Sequence, residues 1–482
     1  MAEHTLTARR LGLTALVTPL VTLSNLILLP ILTRKLPIAD YGTWALIMVT
    51  LSLLPMLVTL GLPTAMTRFL AAATDKREIR EDFYSMGFVV LLTSSIVSGL
   101  LFLFVPQIAA DLFQNNLTTA LLLIPNALIA CLNAFIFYYF TTFQQIKRYS
   151  VLSLVNAYLN TALIAYFVLS GYGLEGALIA LLIQQLVVFV VVTSLIVADI
   201  GFAIPKFRHV REHLAFGIPL IPANLATWVT NSSDRYLVAL FLGTAAVGYY
   251  SPGYAAGSTI SVISAPFILL FPAVLSKHYD ENNITAVRTI MTYSLKYYVG
   301  IGLPCVFALS VLSKPLLLVL TTQQIAENGY LVIPFVAAGT AVAGANLAFV
   351  PVLTLRKKTA IIGSIWMLSA ALNFCLNLVL IPYLGIIGAA VSTFFAFLLT
   401  LVLTVFYAFR HFRFDLSGGF IVKSVCGSSI MALFLFLWGP SGLFSILLSI
   451  ALAAIIYLAV MLTLRGLTIK EIKLIYGVYK GA

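Results

Sequence analysis

The sequence contains little charge: Asp, Glu, Lys and Arg make up only 9% of its 482 residues, whereas 61% are hydrophobic. It also lacks any long polar stretch that could form a sizeable domain outside a membrane. A soluble protein cannot use so much apolar surface, but helices that face lipid can. The composition therefore predicts an all-α, multi-pass membrane protein.

Signatures of catalysis and of metal binding are also missing. The four cysteines form no CxxC pair, and no GxxxxGK[ST] loop is present to bind the phosphates of ATP. His209 and His213 are four residues apart, but no carboxylate cluster accompanies them in the sequence. We interpret this pair as the solvated start of a helix. The sequence thus predicts no enzyme activity, no cofactor and no metal site.

Apolar stretches that could each cross ~30 Å of hydrocarbon at ~1.5 Å per residue recur along the chain. We predict about fourteen spans, with a lower count if the last pair is re-entrant. They lie near 11–33, 40–62, 84–105, 116–140, 151–170, 175–198, 214–242, 248–272, 289–311, 329–353, 360–382, 386–409, 420–438 and 442–464.

The basic residues alternate between the two sides of these spans. When Lys423, at the start of the thirteenth span, is counted with the loop before it, the N-terminus, the even-numbered loops and the C-terminal tail carry 23 of the 28 Lys and Arg residues, and the odd-numbered loops carry three. The positive-inside rule then places both termini in the cytoplasm and the chain in the cytoplasmic membrane. Because the basic residues are scattered over many loops, the net charge of +12 does not indicate a nucleic-acid partner.

A weak internal repeat of about 210 residues divides the chain. Leu159-Asn160 before Gly173-Leu-Glu-Gly-Ala177 resembles Leu372-Asn373 before Gly385-Ile-Ile-Gly-Ala389. Six spans per repeat give two parallel six-helix lobes with a cavity between them. We predict an N-lobe over 1–210 (helices 1–6), a C-lobe over 211–412 (helices 7–12), and helices 13–14 with a cytoplasmic tail over 413–482.

Prolines occupy corresponding places in the two predicted lobes. Pro19 and Pro30 lie in the first span, and Pro219 and Pro222 lie in the seventh. A proline inside a helix removes a backbone donor and crowds the preceding turn. Helices interrupted at equivalent places mark the substrate pathway in transporters with repeats. Proline is also common in membrane helices, so the alternative is a purely structural role.

A few charged residues lie inside or at the ends of the spans. Asp234 and Arg235 occur in the seventh span, and Lys296 occurs in the ninth. Since an ionised side chain near the bilayer centre costs at least ~2.5–3.5 kcal/mol, such residues usually face a cavity. Adjacent positions of a regular helix do not face each other, so we expect the ionic partners of Asp234 and Arg235 to lie elsewhere.

Two more cations lie at the predicted edges of the membrane. Arg34 follows the first span, and Arg68 follows the second. If they face a cavity together with Arg235 and Lys296, the four cations line a route for an anionic headgroup. Asp234 is then a candidate for coupling to H⁺ or Na⁺. The alternative is that these cations anchor the helices by extending toward the lipid headgroups.

Several short motifs resemble the polysaccharide-transporter family, which includes the O-antigen and oligosaccharide-lipid flippases. Its superfamily also contains the MATE exporters and the lipid II flippase. The resemblance covers essentially the whole chain. The order and spacing of the motifs are more specific than any one motif alone. The matching motifs are Leu36-Pro37 with Tyr41-Gly42, Arg68-Phe-Leu70, Pro219-Leu-Ile-Pro222, Asp234-Arg-Tyr236, Leu242-Gly243 and Val247-Gly-Tyr-Tyr250.

This resemblance implies a flippase that moves polyprenyl-pyrophosphate-linked oligosaccharide by alternating access for cell-surface polysaccharide export. It implies that Arg235, Lys296 and Arg68 contact the pyrophosphate. The expected partners are the lipid-linked substrate, membrane lipids and H⁺ or Na⁺, and we expect a monomer to be functional. The alternatives are a lipid II-type flippase and a cation-coupled multidrug exporter. The expected arginines of a lipid II flippase are absent between Arg10 and Arg34.

The positive-inside assignment predicts where cytoplasmic reporters are active. Fusions after residues 78, 148, 208, 357 and 482 should all show cytoplasmic reporter activity, because these positions follow the basic loops or the tail. Activity of a periplasm-specific reporter at any of the first four positions would contradict the fourteen-span prediction. Periplasmic reporter activity at residue 482 alone would mean that the region near the C-terminus has one span more or one span fewer than predicted.

Overall fold

A computed structural model describes residues 2–71 and 73–466, where all regular secondary structure is helical. The last part of the predicted cytoplasmic tail, including residue 482, lies outside the described residues. The chain forms two compact units. The N unit is Pro19–Gly248, and the C unit comprises Met1–Thr18 and Tyr249–Ala482. These units reflect packing rather than the sequence repeat, so the boundaries 1–210, 211–412 and 413–482 stay a prediction, as does the parallel arrangement of two lobes.

The first α-helix, α1, is Ala2–Lys35, and its second half, from Pro19 onward, belongs to the N unit. The other α-helices of the N unit are α2 (Ile38–Val58), α3 (Leu62–Phe69), α4 (Lys76–Leu103), α5 (Val105–Leu112), α6 (Leu117–Thr142), α7 (Ile146–Leu169), α8 (Gly173–Ile200), α9 (Val210–Gly217), α10 (Ile221–Ser232) and α11 (Asp234–Leu242).

Helix α12 (Thr244–Ser258) crosses from the N unit into the C unit. The later helices are α13 (Ala265–Asp280), α14 (Ile284–Val311), α15 (Ser313–Leu320), α16 (Gln323–Gly329), α17 (Val332–Ala345), α18 (Val350–Leu355), α19 (Thr359–Leu384), α20 (Ile386–His411), α21 (Gly418–Trp438) and α22 (Leu443–Thr463).

In the described chain, twelve helical segments are long and apolar enough to cross a membrane. The predicted spans 214–242 and 248–272 are not among them, because each is divided into shorter pieces. The first consists of the end of α9 with α10 and α11, and the second consists of α12 and α13. The multi-pass, all-helical class is therefore established, whereas the count of fourteen stays a prediction.

The two predicted proline pairs differ in their local structure. Pro219 lies in a 3₁₀ turn, Ile218–Leu220, that separates α9 from α10, and Pro222 lies in the first turn of α10. By contrast, α1 continues as one helix through Pro19 and Pro30. The first span is therefore not divided in the way that the seventh is, although a role of all four prolines in bending stays a prediction.

Polar side chains join neighbouring helices inside each unit, as membrane interiors require. In the N unit, the Asn126 amide donates to the carbonyl of Leu178 over 3.2 Å and joins α6 to α8. In the C unit, Thr400 Oγ1 donates to Ser369 Oγ over 2.8 Å and joins α20 to α19. Apolar side chains fill the remaining space between these helices.

The apolar cores follow these helix contacts. The core of the N unit is formed by α3, α4, α6 and α8, and one in the C unit by α13, α14, α18 and α20. Many large apolar side chains instead point outward from the spans, including Phe102 and Leu103 of α4 and Phe436 of α21. Such a surface is stable in lipid and unfavourable in water.

Two glycine motifs that the sequence places at the starts of separate spans meet inside the N unit. A Cβ atom on Gly42 would lie 1.8 Å from the carbonyl oxygen of Thr244, and one on Gly248 would lie 2.4 Å from the carbonyl oxygen of Ile38. The backbones of α2 and α12 therefore approach so closely that no side chain fits at either position. The Tyr41-Gly42 and Val247-Gly248 motifs thus form one helix contact.

Replacing Gly42 tests this contact. Gly42→Ala should lower the thermal stability of the purified protein, because the backbone must separate to admit a methyl group, at a cost of ~1–3 kcal/mol. Gly99→Ala in α4 is the matched control, since a methyl group added there would have no atom within 4 Å apart from the adjacent backbone of its own helix. Equal melting temperatures for the two variants in the same detergent would contradict the close packing of α2 on α12.

Candidate functional site

Asp234 and Arg235 form a direct ion pair in the N unit. Arg235 Nη1 lies 3.0 Å from Asp234 Oδ1, and the two side chains are only 11% and 1% exposed. The expectation that their ionic partners lie elsewhere is therefore wrong. It assumed a regular helix, whereas α10 ends at Ser232 and α11 begins at Asp234. The pair therefore lies at the junction of two helices, where the regular hydrogen-bond pattern is interrupted.

The same two side chains satisfy backbone groups at this break. The backbone amide of Arg235 donates to Asp234 Oδ1 over 2.8 Å. The guanidinium of Arg235 donates to the carbonyl oxygen of Asn231 over 2.9 Å. In an uninterrupted helix, that carbonyl would accept from the amide of residue 235. The ion pair therefore closes the interruption between α10 and α11 with charge-assisted hydrogen bonds.

Polar contacts from α2 hold both sides of the break. Trp228 Nε1 of α10 donates to Ser52 Oγ over 3.0 Å, and the Tyr236 hydroxyl of α11 lies 2.5 Å from Thr50 Oγ1. Helix α2 therefore holds the interrupted helix by one hydrogen bond on each side of the ion pair.

The other two cations predicted in this half of the chain are at the surface. Arg34 lies in the last turn of α1 and Arg68 in the last turn of α3, and both are exposed. Within the N unit, the predicted site residues that meet are Asp234 and Arg235. Contact of Arg34 and Arg68 with a substrate stays a prediction.

Lys296 lies in the C unit between aromatic rings. Its Nζ atom is 5.2 Å from the ring centre of Phe420 and 5.8 Å from that of Tyr293. Tyr293 in turn stacks on Tyr297 at a centroid distance of 6.0 Å. Phe420 comes from α21, which packs along α14. The half-buried ammonium is therefore positioned by cation–π contacts from two helices.

A cavity of about 640 Å³ opens beside Lys296. It is formed by the first three turns of α14 and by the connection from α20 to α21. Its lining residues are Arg288, Thr289, Thr292, Tyr293, Lys296, Arg413, Phe414, Asp415 and Ser417. Three cations and one carboxylate give this lining a formal charge of +2. Its volume falls within the range of roughly 300–1,000 Å³ that is typical of small-molecule sites.

The chemistry of the lining suits an anionic, partly apolar ligand. Arg288 and Arg413 present guanidinium groups, which bind two phosphate oxygens at once. The carboxylate of Asp415 accepts the backbone amide of Ser417 over 2.9 Å and so fixes the turn before α21. Two threonine hydroxyl groups and two aromatic faces complete the lining. The cavity can therefore bind phosphate and still contact the apolar face of an attached group.

The sequence had indicated Lys296 but not Arg288 or Arg413. Both arginines lie near predicted cytoplasmic loops, where the positive-inside rule already explains a basic residue. One signal was available for Arg288: it precedes Lys296 by eight residues, about two helical turns, and so lies on the same face of α14. For Arg413, which lies in the connection between two helices, no such periodicity exists.

Comparison with known sequences identifies a family. The sequence profile of the family described as "Polysaccharide biosynthesis protein" matches residues 8–278, more than half of the chain. A probable low-salt glycan biosynthesis flippase, Agl15 of Haloferax volcanii, is 22% identical over 263 residues. That alignment covers 54% of this chain and 55% of Agl15, so the chain matches about half the length of this relative.

Solved structures share the fold at low sequence identity. The inward closed conformation of the lipid II flippase MurJ is 16% identical, with a TM-score of 0.72 over 96% of this chain and 99% of that one. An inward-facing multidrug resistance MATE family transporter of the MOP superfamily is also 16% identical. Its TM-score is 0.64, and the match covers 81% of this chain and 95% of that one.

These similar proteins are flippases and transporters, in agreement with the prediction that the chain is not an enzyme. The resemblance predicted from the short motifs is confirmed at the level of the family. By its sequence profile, the chain belongs to the polysaccharide biosynthesis protein family.

Proposed function

We propose that this protein is a flippase that moves a polyprenyl-pyrophosphate-linked oligosaccharide across the cytoplasmic membrane by alternating access. Its product would be used in the export of cell-surface polysaccharide. Membership of the polysaccharide biosynthesis family and similarity to a glycan biosynthesis flippase support this class of substrate. The observation that carries the proposal is the cationic cavity beside Lys296.

The first step of transport is recognition of the pyrophosphate from the cytoplasmic side. The positive-inside rule assigns the loops around Arg288 and Arg413 to the cytoplasm. Their exposed guanidinium groups meet the incoming headgroup, and Lys296 receives it about two turns further along α14. Opposite charges along this path reduce the cost of bringing a pyrophosphate into a region of low dielectric.

The sugars attached to the pyrophosphate occupy the less charged part of the cavity. Sugar rings have apolar C–H faces, which pack on the exposed aromatic ring of Tyr293. Their hydroxyl groups bond with Thr289, Thr292 and the carboxylate of Asp415. Such contacts tolerate several sugar compositions, since they depend on ring faces and hydroxyl groups rather than on one unique pattern.

Alternating access requires helices that bend at fixed places. The interruptions between α9 and α10, at Pro219, and between α10 and α11, at the ion pair, supply such places in the N unit. Asp234 is then a coupling residue, because binding of H⁺ or Na⁺ to its carboxylate competes with Arg235. The exposed cations Arg34 and Arg68 are further headgroup contacts along the route, and the other prolines singled out in the sequence are further bending points.

A lipid II-type flippase would carry the same pyrophosphate with a different sugar, so it shares the cationic requirement. A multidrug exporter for cationic drugs would instead need acidic groups in its cavity. The lining around Lys296 has a formal charge of +2, which opposes the binding of a cationic drug. We therefore favour a pyrophosphate-linked substrate, carried by a transporter that functions as a monomer.

Substitution of the cavity cations tests the substrate class. Each change removes a charge-assisted hydrogen bond worth ~1.5–3 kcal/mol. In proteoliposomes, Lys296→Ala and Arg288→Ala should therefore each raise the substrate concentration at half-maximal flipping by roughly tenfold or more. The readout is the accessibility of a labelled polyprenyl-pyrophosphate oligosaccharide at the opposite leaflet, normalised to the amount of inserted protein. A lipid II substrate tested in parallel separates the two flippase alternatives.

Lys314→Ala is the matched control, because Lys314 also lies over an aromatic ring, that of Tyr330 at 5.9 Å, but outside the cavity. It should flip the glycolipid at the parental rate. If Lys296→Ala and Arg288→Ala also do so, the cavity does not bind the substrate and the cations are anchors at the membrane surface.

The ion pair generates a second prediction. Asp234→Asn preserves an oxygen that can accept from the Arg235 amide but removes the negative charge. If Asp234 couples transport to an ion, this variant should flip substrate at a rate that no longer depends on an imposed H⁺ or Na⁺ gradient. Gradient-dependent flipping at the parental level in folded Asp234→Asn would exclude this role.

A purely structural ion pair gives a different pattern. Arg235→Ala would leave Asp234 buried without that guanidinium, and breaking a buried pair costs roughly 3–5 kcal/mol. Arg235→Ala should therefore reduce the yield of folded protein, whereas the double variant Asp234→Asn/Arg235→Gln should recover part of it. Recovery of gradient-dependent transport in the double variant would show that the pair only stabilises the broken helix.

A further inference from the structure

Two histidines and two carboxylates meet at one end of the N unit. Glu78 and Asp82 lie in the first two turns of α4, and His209 and His213 lie at the start of α9. Ligand atoms of Glu78, Asp82 and His209 all lie within 4.8 Å of one another. His209 Nδ1 is 3.1 Å from Asp82 Oδ2, and His213 Nε2 is 4.0 Å from the same oxygen. We call these four residues the His–carboxylate cluster.

Helix geometry explains why these side chains converge. Glu78 and Asp82 are four residues apart, as are His209 and His213, so each pair points from one face of its helix. Packing against α3 fixes α9: a Cβ atom on Gly217 would lie 2.5 Å from the carbonyl oxygen of Leu60. The carboxylates could not be paired with the histidines from the sequence, because Asp82 precedes His209 by 127 residues.

The two carboxylates of the cluster have no lysine or arginine partner in the described residues. The neighbouring Glu81 forms ion pairs with Arg77 and Lys206. Within the same part of the chain, Glu78 and Asp82 form no ion pair with Lys or Arg. Asp82 is nevertheless buried, and an anion in that position needs a compensating positive charge.

His213 is the most deeply buried side chain of the cluster. It is 2% exposed, and its Nδ1 atom is buried without a hydrogen-bond partner in the described residues. The distance of 4.0 Å between its Nε2 atom and Asp82 is too long for a hydrogen bond. The Nε2 side of the ring therefore faces the Asp82 carboxylate without a direct hydrogen bond to it.

We propose that Glu78, Asp82, His209 and His213 bind one divalent transition-metal ion of the Zn²⁺ class. Zn²⁺ binds imidazole nitrogen and carboxylate oxygen at ~2.0–2.2 Å, so adjacent ligand atoms of a tetrahedral site are roughly 3.4 Å apart. The distances of 3.1 Å and 4.0 Å around Asp82 bracket that value. Two nitrogen ligands favour a transition metal over Mg²⁺ or Ca²⁺, which prefer oxygen alone.

A bound ion would brace α9 against α4. The brace would lie next to the 3₁₀ turn at Ile218–Leu220, where the predicted seventh span is interrupted. It would therefore hold the cytoplasmic piece of that span in place while the remainder bends. This role requires no change in the substrate cavity, so it is independent of the proposed flippase activity.

Metal binding can be measured on the full-length protein in detergent, purified with a tag that contains no histidine. After treatment with a chelator, titration with Zn²⁺ should show about one ion per chain, and Co²⁺ should give the visible absorption of a coordinated ion. His209→Ala and Glu78→Gln should each weaken Zn²⁺ binding by at least roughly 10–100-fold, as loss of metal-site groups does. Neither side chain is buried, so both variants should remain folded.

His411→Ala, at the exposed end of α20, is the matched control and should bind Zn²⁺ as the parent does. Zn²⁺ should also raise the melting temperature of the parent and of this control, but not that of His209→Ala. If the parent binds no more Zn²⁺ than His209→Ala and Glu78→Gln do, the proposal is wrong and the cluster is only a hydrogen-bonded pair. The cavity variants Lys296→Ala and Arg288→Ala should still bind Zn²⁺, so a loss of transport in them would test the proposed flippase function and not the metal site.

Discussion

An interrupted helix in a membrane depends on groups that replace its missing backbone hydrogen bonds. Lipid offers no donors or acceptors, so each unsatisfied amide or carbonyl costs several kcal/mol. Between α10 and α11, one ion pair meets this requirement: Asp234 accepts the amide of Arg235, and Arg235 donates to the carbonyl of Asn231. The two charges are stable there because each compensates the other. The ion pair therefore satisfies backbone groups that the junction between α10 and α11 leaves without helical partners.

Close backbone contacts keep this interrupted helix in position. Gly42 and Gly248 allow α2 and α12 to touch, and Gly217 does the same for α9 on α3. Hydrogen bonds from α2 to Trp228 and Tyr236 hold the sides of the break. In a membrane, where the hydrophobic effect between helices is weak, such small residues and polar bonds carry much of the packing. The pieces of the interrupted helix, α9, α10 and α11, therefore pack in a region where close backbone contacts resist movement.

The sequence predicts the class of this protein well, because length and hydropathy alone decide whether a helix can cross a membrane. It also predicts an interruption at Pro219, but the same argument does not extend to Pro30, where α1 continues. Whether a proline divides a helix depends on what its neighbours offer to the freed carbonyl, which is a tertiary property. Likewise, only the helix break brings Asp234 to Arg235, and only folding brings a carboxylate of α4 to His209. The predictions failed where the chain departs from an ideal helix or where a second helix contributes the partner.

Basic residues at the ends of membrane helices satisfy two physical requirements at once. Charge asymmetry orients the chain during insertion, and this role alone would explain Arg288 and Arg413. Orientation, however, depends only on how many cations a loop carries, not on where their side chains point. The grouping of both arginines with Lys296 around one cavity is a property that orientation does not require. Basic residues that only orient the chain need not share a cavity. Their grouping around one cavity is therefore the feature that makes them candidates for binding phosphate.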